Sequence, residues 1–186
     1  ISIRTDNIEN YTLDGLEGND LFEFRSLLAD AVETVNTEGG GPGGSDVLEV
    51  FGVVGAADII EVRPGETRTD GAVDVNGVLV NYTGVEHLQL QAGFDAGDAL
   101  TVRATPDLGD NLWTVNASDY GGDRVQIDDR ETIDYKQFDT VALTNEFGTD
   151  HFRVYPTSLS GYLTSLTITG DAFGANPIDD VLELIG

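Results

Sequence analysis

The sequence predicts an all-β protein, a parallel β-solenoid (β-helix) of about seven rungs. Three observations carry that expectation: a hydrophobic triple recurring about every 26 residues, an aspartate on the same beat, and Gly-, Asp- and Asn-rich turns between them. Residues 85–102, VEHLQLQAGFDAGDALTV, show the unit whole. Val85, Leu88 and Leu90 lead into an acidic turn that ends on Asp98, and Leu100 and Val102 then alternate with polar neighbours. Alternation places every second side chain on one face, as in a strand with one buried side.

The triple starts at Ile8, Val32, Ile59, Val85, Leu112, Phe138 and Leu163, so successive starts differ by 24 to 27 residues. Asp20, Asp46, Asp98, Asp123, Asp150 and Asp180 each precede an alternating apolar pair. The slot near position 72 holds Ala72 between Asp70 and Asp74, and the third and fifth units have irregular turns. A unit this short cannot bury its apolar face alone, whereas stacked copies can, each rung pairing in parallel with the next. With strands about 4.8 Å apart, seven rungs give a rod on the order of 30 Å long. Leu13, Val62, Leu90, Leu143 and Ile168 are the expected core column. A β-sandwich is the rival, because short strands at regular spacing suit it too, but it gives one turn residue no reason to stay in step.

Within residues 24–35 a helical spacing of apolar residues competes with the repeat register. The register makes Val32–Thr37 a strand and leaves room for a short helical turn at Ser26–Ala31. Gly39–Ser45, GGGPGGS, reads as a flexible turn inside one domain spanning 1–186.

Composition narrows the partners. With 34 acidic and 9 basic residues the formal net charge is -25, which argues against nucleic acid and anionic membranes, since both need a positive surface. It suits an extracellular, cation-loaded or salt-adapted surface. The chain has no Cys, hence neither disulfides nor thiolate metal sites; a secreted protein of this kind points to a bacterial or archaeal source. No apolar run approaches the roughly 18 residues that span a bilayer, and no signal peptide is evident. The absence of Met, with Ile1 first, reads as a processed product or a segment of a longer repeat protein.

Gly84-Val85-Glu86-His87-Leu88 and Val32-Glu33-Thr34-Val35 resemble the opening half of the repeat unit in large secreted bacterial surface proteins. Gly15–Phe22, GLEGNDLF, is similar to the calcium-binding nonapeptide of haemolysin-type (RTX) proteins, with Leu16 in place of the second glycine. Gly41–Leu48 is similar too, with Pro42 in that slot. A beat of about 26 residues departs from the two nonapeptides per turn of the RTX roll. The resemblance implies a secreted or cell-surface location and calcium at such turns.

Stacked rungs would line the aspartates along one edge. Two charges 4.8 Å apart repel by about 3–4 kcal/mol at an effective dielectric near 20. Such a column needs protonation, turn N–H donors or a cation. Ca²⁺, with its preference for six to eight oxygens, is expected at Asp14, Glu17, Asn19, Asp20, Asp46 and Asp98. Plain capping of turn backbone by Asp is the rival.

No catalytic residues are expected, as no nucleophile elbow, phosphate loop, dinucleotide fingerprint or His-Glu-x-x-His occurs. His87 and His151 occupy different slots of different rungs. The densest polar cluster, Asp128, Asp129, Arg130, Glu131, Asp134 and Lys136, reads as a solvated loop; polysaccharide lyases on β-helices give it a second reading. Trp113, placed between core slots and so expected to face outward, could join Tyr120, Tyr135, Tyr155 and Tyr162 in a sugar-stacking platform. Asn10, Asn81 and Asn116 head glycosylation sequons. The expected function is a non-catalytic spacer, stalk or adhesin rod that stacks on flanking repeats or on copies of itself. A polysaccharide-binding module is the alternative, and a lyase or epimerase the lesser one.

Overall fold

A computed structural model describes residues 10–25, 34–41, 45–104, 110–145, 148–170 and 180–186. The described residues form an all-β structure with one short 3-10 turn at Pro156–Ser158. The expected helical turn at Ser26–Ala31 and part of the glycine-rich turn at 39–45 lie outside the described residues.

In chain order the strands are β1 (Asn10–Asp14), β2 (Leu21–Arg25), β3 (Thr34–Glu38), β4 (Val47–Phe51), β5 (Ile59–Pro64), β6 (Gly71–Val75), β7 (Val78–Thr83) and β8 (His87–Gln91). Then come β9 (Ala99–Arg103), β10 (Leu112–Ala117), β11 (Asp123–Ile127), β12 (Thr132–Lys136), β13 (Thr140–Thr144), β14 (His151–Val154), β15 (Ser165–Thr169) and β16 (Val181–Leu184). They build two mixed eight-stranded sheets. Sheet A has the order β1-β3-β7-β6-β5-β9-β13-β15, and sheet B the order β16-β14-β10-β11-β12-β8-β4-β2.

The chain passes back and forth between the sheets, and strands from successive passes pair in parallel at both ends: β1 with β3, β2 with β4, β13 with β15 and β14 with β16. In the middle it does not. There the expected one-rung-per-unit stacking is replaced by two antiparallel meanders, β5-β6-β7 in sheet A and β10-β11-β12 in sheet B. These are the third and fifth units, the ones with irregular turns in the sequence. Local turn chemistry explains the reversal. Asn76 and Gly77 both have positive φ, +54° and +90°, and an Asn-Gly pair in that conformation closes a tight hairpin whose twist matches the strands.

The two meanders are built alike. Asn76, in the β6–β7 turn, donates its amide to the carbonyl of Ile59 and accepts the Ile59 amide at Oδ1. Asp128, between β11 and β12, does the same to Leu112. Each meander thus caps the start of its own first strand. Moving five strands along the chain maps one meander, with its parallel neighbours, onto the other and exchanges the sheets.

One core lies between the sheets. Val62, Val102 and Leu143 are buried in register in sheet A, and Ile168 packs against them. Leu90, expected in that column, belongs to sheet B, where it pairs with Val50 and Tyr135. Leu13 is half-buried on β1 beside Thr37. Trp113 corrects the sequence reading: it is fully buried and stacks on Phe152 at 5.4 Å. It alternates in step with Val115 on β10, so the strand's own period turns it inward.

Candidate functional site

The turns joining the sheets form two sets of corners. Chain entering sheet B passes Asp20, Asp46, Glu86, Asn111, Asp150 and Asp180; chain entering sheet A passes Asp58, Asp98 and Asp139. The expected single column of aspartates is therefore divided. Asp20 and Asp46 are neighbours, as are Asp150 and Asp180, while Asp98 lies with Asp58 at the other set. Asp123 starts a strand that runs the opposite way, and its carboxylate takes the amide and hydroxyl of Ser160.

At five of these corners the residue's amide donates to the carboxylate of the next layer. Asp20 donates to Asp46 at 2.7 Å and Asp46 to Glu86 at 2.7 Å. Asp58 donates to Asp98 at 2.8 Å, Asn111 to Asp150 at 3.0 Å, and Asp150 to Asp180 at 2.9 Å. The first amide of the next strand returns to the corner carbonyl: Val47 to Asp20, Ala99 to Asp58, Val181 to Asp150. A small residue at the corner's entrance makes room for the acid. A Cβ on Gly15 or Gly39 would sit 2.6 Å from Oδ2 of Asp20 or Asp46, and Gly52 and Gly170 are pressed harder still against Asp58 and Asp180. Asn145 takes the glycine's place once, and its Nδ2 donates to Asp150.

Asp46, Asp58, Asp98 and Asp150 are buried. Burial raises the carboxyl of Asp98 above the usual range, with Asp58, Asp139 and Asp95 adding repulsion against the relief from the Asp58 amide. Burial raises Asp150 too, against the hydrogen bonds from Asn145 and Asn111. Backbone donors thus serve one oxygen each of Asp46, Asp98, Asp150 and Asp180.

The remaining calcium candidates spread out. Asp14 accepts the amide of Leu16 at 2.9 Å, Asn19 accepts that of Ser45 at 3.3 Å, and Glu17 is exposed. Among the described residues no three His, Cys, Asp or Glu side chains converge on a point that could hold a metal ion. Oδ1 of Asp46 and of Asp98 takes an amide, whereas Oδ2 of Asp20 and of Asp98 is buried with no partner, and Asp20 and Asp98 lie at separate sets of corners. Asp58, Asp139 and the entrance glycines escaped the sequence reading. A Gly (or Asn) followed five to ten residues later by Asp was the available signal.

The polar cluster around Asp128 also divides. Asp134 forms a two-bonded pair with Arg124 at 2.6 and 3.0 Å, and Lys136 lies 3.8 Å above the ring of Tyr120. Asp128 to Glu131 instead line an open cleft of about 1020 Å³ with Thr67, Arg68, Thr69, Glu86, His87, Gln126 and Thr132. Arg130 clamps the β5–β6 loop through the carbonyls of Gly65 and Thr67, and Arg68 bonds the carbonyl of Asp129. Nδ1 of His87 lies 2.6 Å from the Thr132 hydroxyl. Behind the rim Glu131 is only 3% exposed and accepts a hydrogen bond from Tyr82, while its other oxygen has no partner. Burial pushes its carboxyl up to about 7, the Tyr82 bond offsetting part of the effect.

The five aromatics do not gather. Trp113 and Tyr135 are buried, Tyr120 donates to Glu49, and Tyr162 is exposed. His151 lies on β14, 3.3 Å from Glu183. Among the described residues no helix is long and apolar enough to cross a membrane. The fold and corners define an all-β protein of two mixed sheets tied by carboxylate-to-amide corners. No protein-family model, curated protein or solved structure matches the chain.

Proposed function

We propose that the chain is a non-catalytic structural segment, a spacer, stalk or adhesin rod of a secreted or cell-surface bacterial protein. On this reading it is a two-sheet β-solenoid whose central turns are replaced by the two meanders, and it stacks on flanking repeats or copies of itself. One observation carries the reading. Leu182 and Leu184 on β16 are in register with the buried Phe152 and Val154, yet 56% and 66% exposed. The core columns thus run to the end of the array on strands whose inner pairing is parallel, so another layer of the same kind continues both.

A tandem chain of two copies tests this. Stacked copies bury the exposed leucines and melt together at a higher temperature than one copy. Two copies melting independently at the single-copy temperature refute it. The polar cleft supports a second reading as a polysaccharide-binding site, because its threonine, glutamine and histidine groups suit a hydroxylated ligand. Retention on immobilised glycans, lost on Gln126→Ala or His87→Ala, is its test.

A further inference from the structure

The two ends of the layered array match in strand direction. Sheet A runs from β1 to β15 and sheet B from β2 to β16. The corner Gly15–Asp20 joins β1 to β2 at one end, and Gly170 packs on Asp180 between β15 and β16 at the other. Each sheet holds one reversed strand, β6 or β11, with an antiparallel neighbour on either side. The two reversals cancel and every other pairing is parallel, so β1 runs with β15 and β2 with β16.

The side chains match as well. The inward residues of one end are Leu166 and Ile168 on β15 and Leu182 and Leu184 on β16. Those of the other end are Tyr11 and Leu13 on β1 and Phe22 and Phe24 on β2. On the outward side of sheet B, the first residue past the corner aspartate is Val181 at one end and Leu21 at the other, 46% and 61% exposed. Proline and inward charge, which ordinarily blunt a sheet edge, are absent from all four strands. The corner before β2 is open in the same sense. Asp46, Glu86, Asp150 and Asp180 each take the amide of the layer before them. Asp20 is seated like Asp46, with Oδ2 over its entrance glycine. Yet among the described residues no donor reaches the Asp20 carboxylate.

We infer that copies of this chain join head to tail, the β15–β16 end of one against the β1–β2 end of the next. The inference rests on the stacked-layer reading above and adds to it the partner, the polarity and the register. Continuing the corner alignment sets Val181 beside Leu21 of the next copy, Leu182 beside Phe22 and Leu184 beside Phe24. It also brings the amide of a preceding layer to the Asp20 carboxylate. Glu183 then meets Glu23, each already paired with an arginine of its own copy, Arg153 and Arg25. Apolar burial therefore drives the joint, and the net charge of -25 opposes it. A cationic partner would find no acid on the inward rows. A joint of two like ends would pair each edge strand antiparallel to its own copy and break the layer pattern. A joint of unlike ends leaves one of each open, so it propagates.

The test is sedimentation of the full chain in about 1 M sodium chloride, where charge repulsion is screened beyond about 3 Å. The mass is expected to rise with concentration past the dimer, and to fall to the monomer at low salt. Leu182→Asp, on an exposed side chain of the joint, abolishes the rise while the low-salt melting midpoint stays in place. Val54→Asp, on the exposed turn between β4 and β5, leaves the rise unchanged. The chain has no Cys, so disulfides read the register. Leu21→Cys mixed with Val181→Cys gives a crosslinked pair on oxidation, and neither variant alone does. A monomer at every concentration overturns the proposal, as does assembly that survives Leu182→Asp. Crosslinking of Leu21→Cys to itself shows a joint of like ends and equally overturns it. If the chain stays monomeric while a tandem of two copies melts above the single copy, the stacked-layer reading stands and self-assembly falls. Tandem halves that melt independently remove the reading itself.

Discussion

The amide of Asp58 donates to Oδ1 of Asp98 across 2.8 Å, joining residues 40 positions apart in a corner from which solvent is excluded. The carbonyl of the same Asp58 accepts the amide of Ala99. One aspartate therefore registers two layers of sheet A. Asp98→Ala strands the Asp58 N–H in a buried site and costs about 1–3 kcal/mol. Asp98→Asn keeps the oxygen acceptor and removes a charge that burial disfavours, so it costs much less. Urea unfolding of the two variants checks the order; equal losses would mean that the charge, not the acceptor, holds the corner.

Glu131 makes stability depend on pH with a definite sign. Its folded carboxyl titrates near 7, above the ordinary 4.5, so the folded chain binds this proton more tightly than the unfolded one. The contribution is fully present below about 4.5, falls as pH rises to 7 and is flat above. Over that window it amounts to on the order of 3 kcal/mol. General repulsion among the acids has the same sign, so the useful quantity is the difference from Glu131→Gln. That variant keeps an acceptor for Tyr82 and cannot ionise. Unfolding free energies at pH 4.5 and 7.5 should fall less in the variant than in the parent, and parallel curves would remove Glu131 as the cause.

The alternation of Leu88 and Leu90, and the beat that brings aspartate to each sheet crossing, made the all-β class legible from sequence. Pairing was less so, because a 26-residue period is equally compatible with a rung that stacks forward and one that folds back. The difference lies in Asn76-Gly77 and in Asp128, short-range turn signals that the long period hides. The aspartates were visible, but not their partners. A carboxylate column reads as unmet charge until the amide of the preceding layer is placed beside each one. Trp113 was assigned outward from the triple's spacing, though its alternation with Val115 already pointed inward.

Trp113 is the largest side chain wholly inside the core, against Phe152. Trp113→Ala should cost about 3–5 kcal/mol through lost burial and the cavity left behind. The indole Nε1 is buried with no partner, so Trp113→Phe gives up no hydrogen bond and should cost less than half as much. As the chain's one tryptophan, Trp113 also reports directly: native emission should be blue-shifted and insensitive to aqueous quenchers. Ready quenching in the folded protein would contradict the burial.

Calcium should act on this protein only as an electrolyte. One oxygen each of Asp46, Asp98, Asp150 and Asp180 already accepts a layer-to-layer amide, Asp14 and Asn19 cap their own turns or the neighbouring one, and the buried free oxygens of Asp20 and Asp98 lie at different sets of corners. A net charge of -25 nevertheless opposes the compact state, and added salt screens that repulsion. Melting midpoints should therefore rise with sodium chloride and coincide in calcium chloride and in chelator once ionic strength is matched. A midpoint several degrees higher in calcium at equal ionic strength would show a bound ion, and Asp20→Asn and Asp98→Asn would then tell which set of corners holds it.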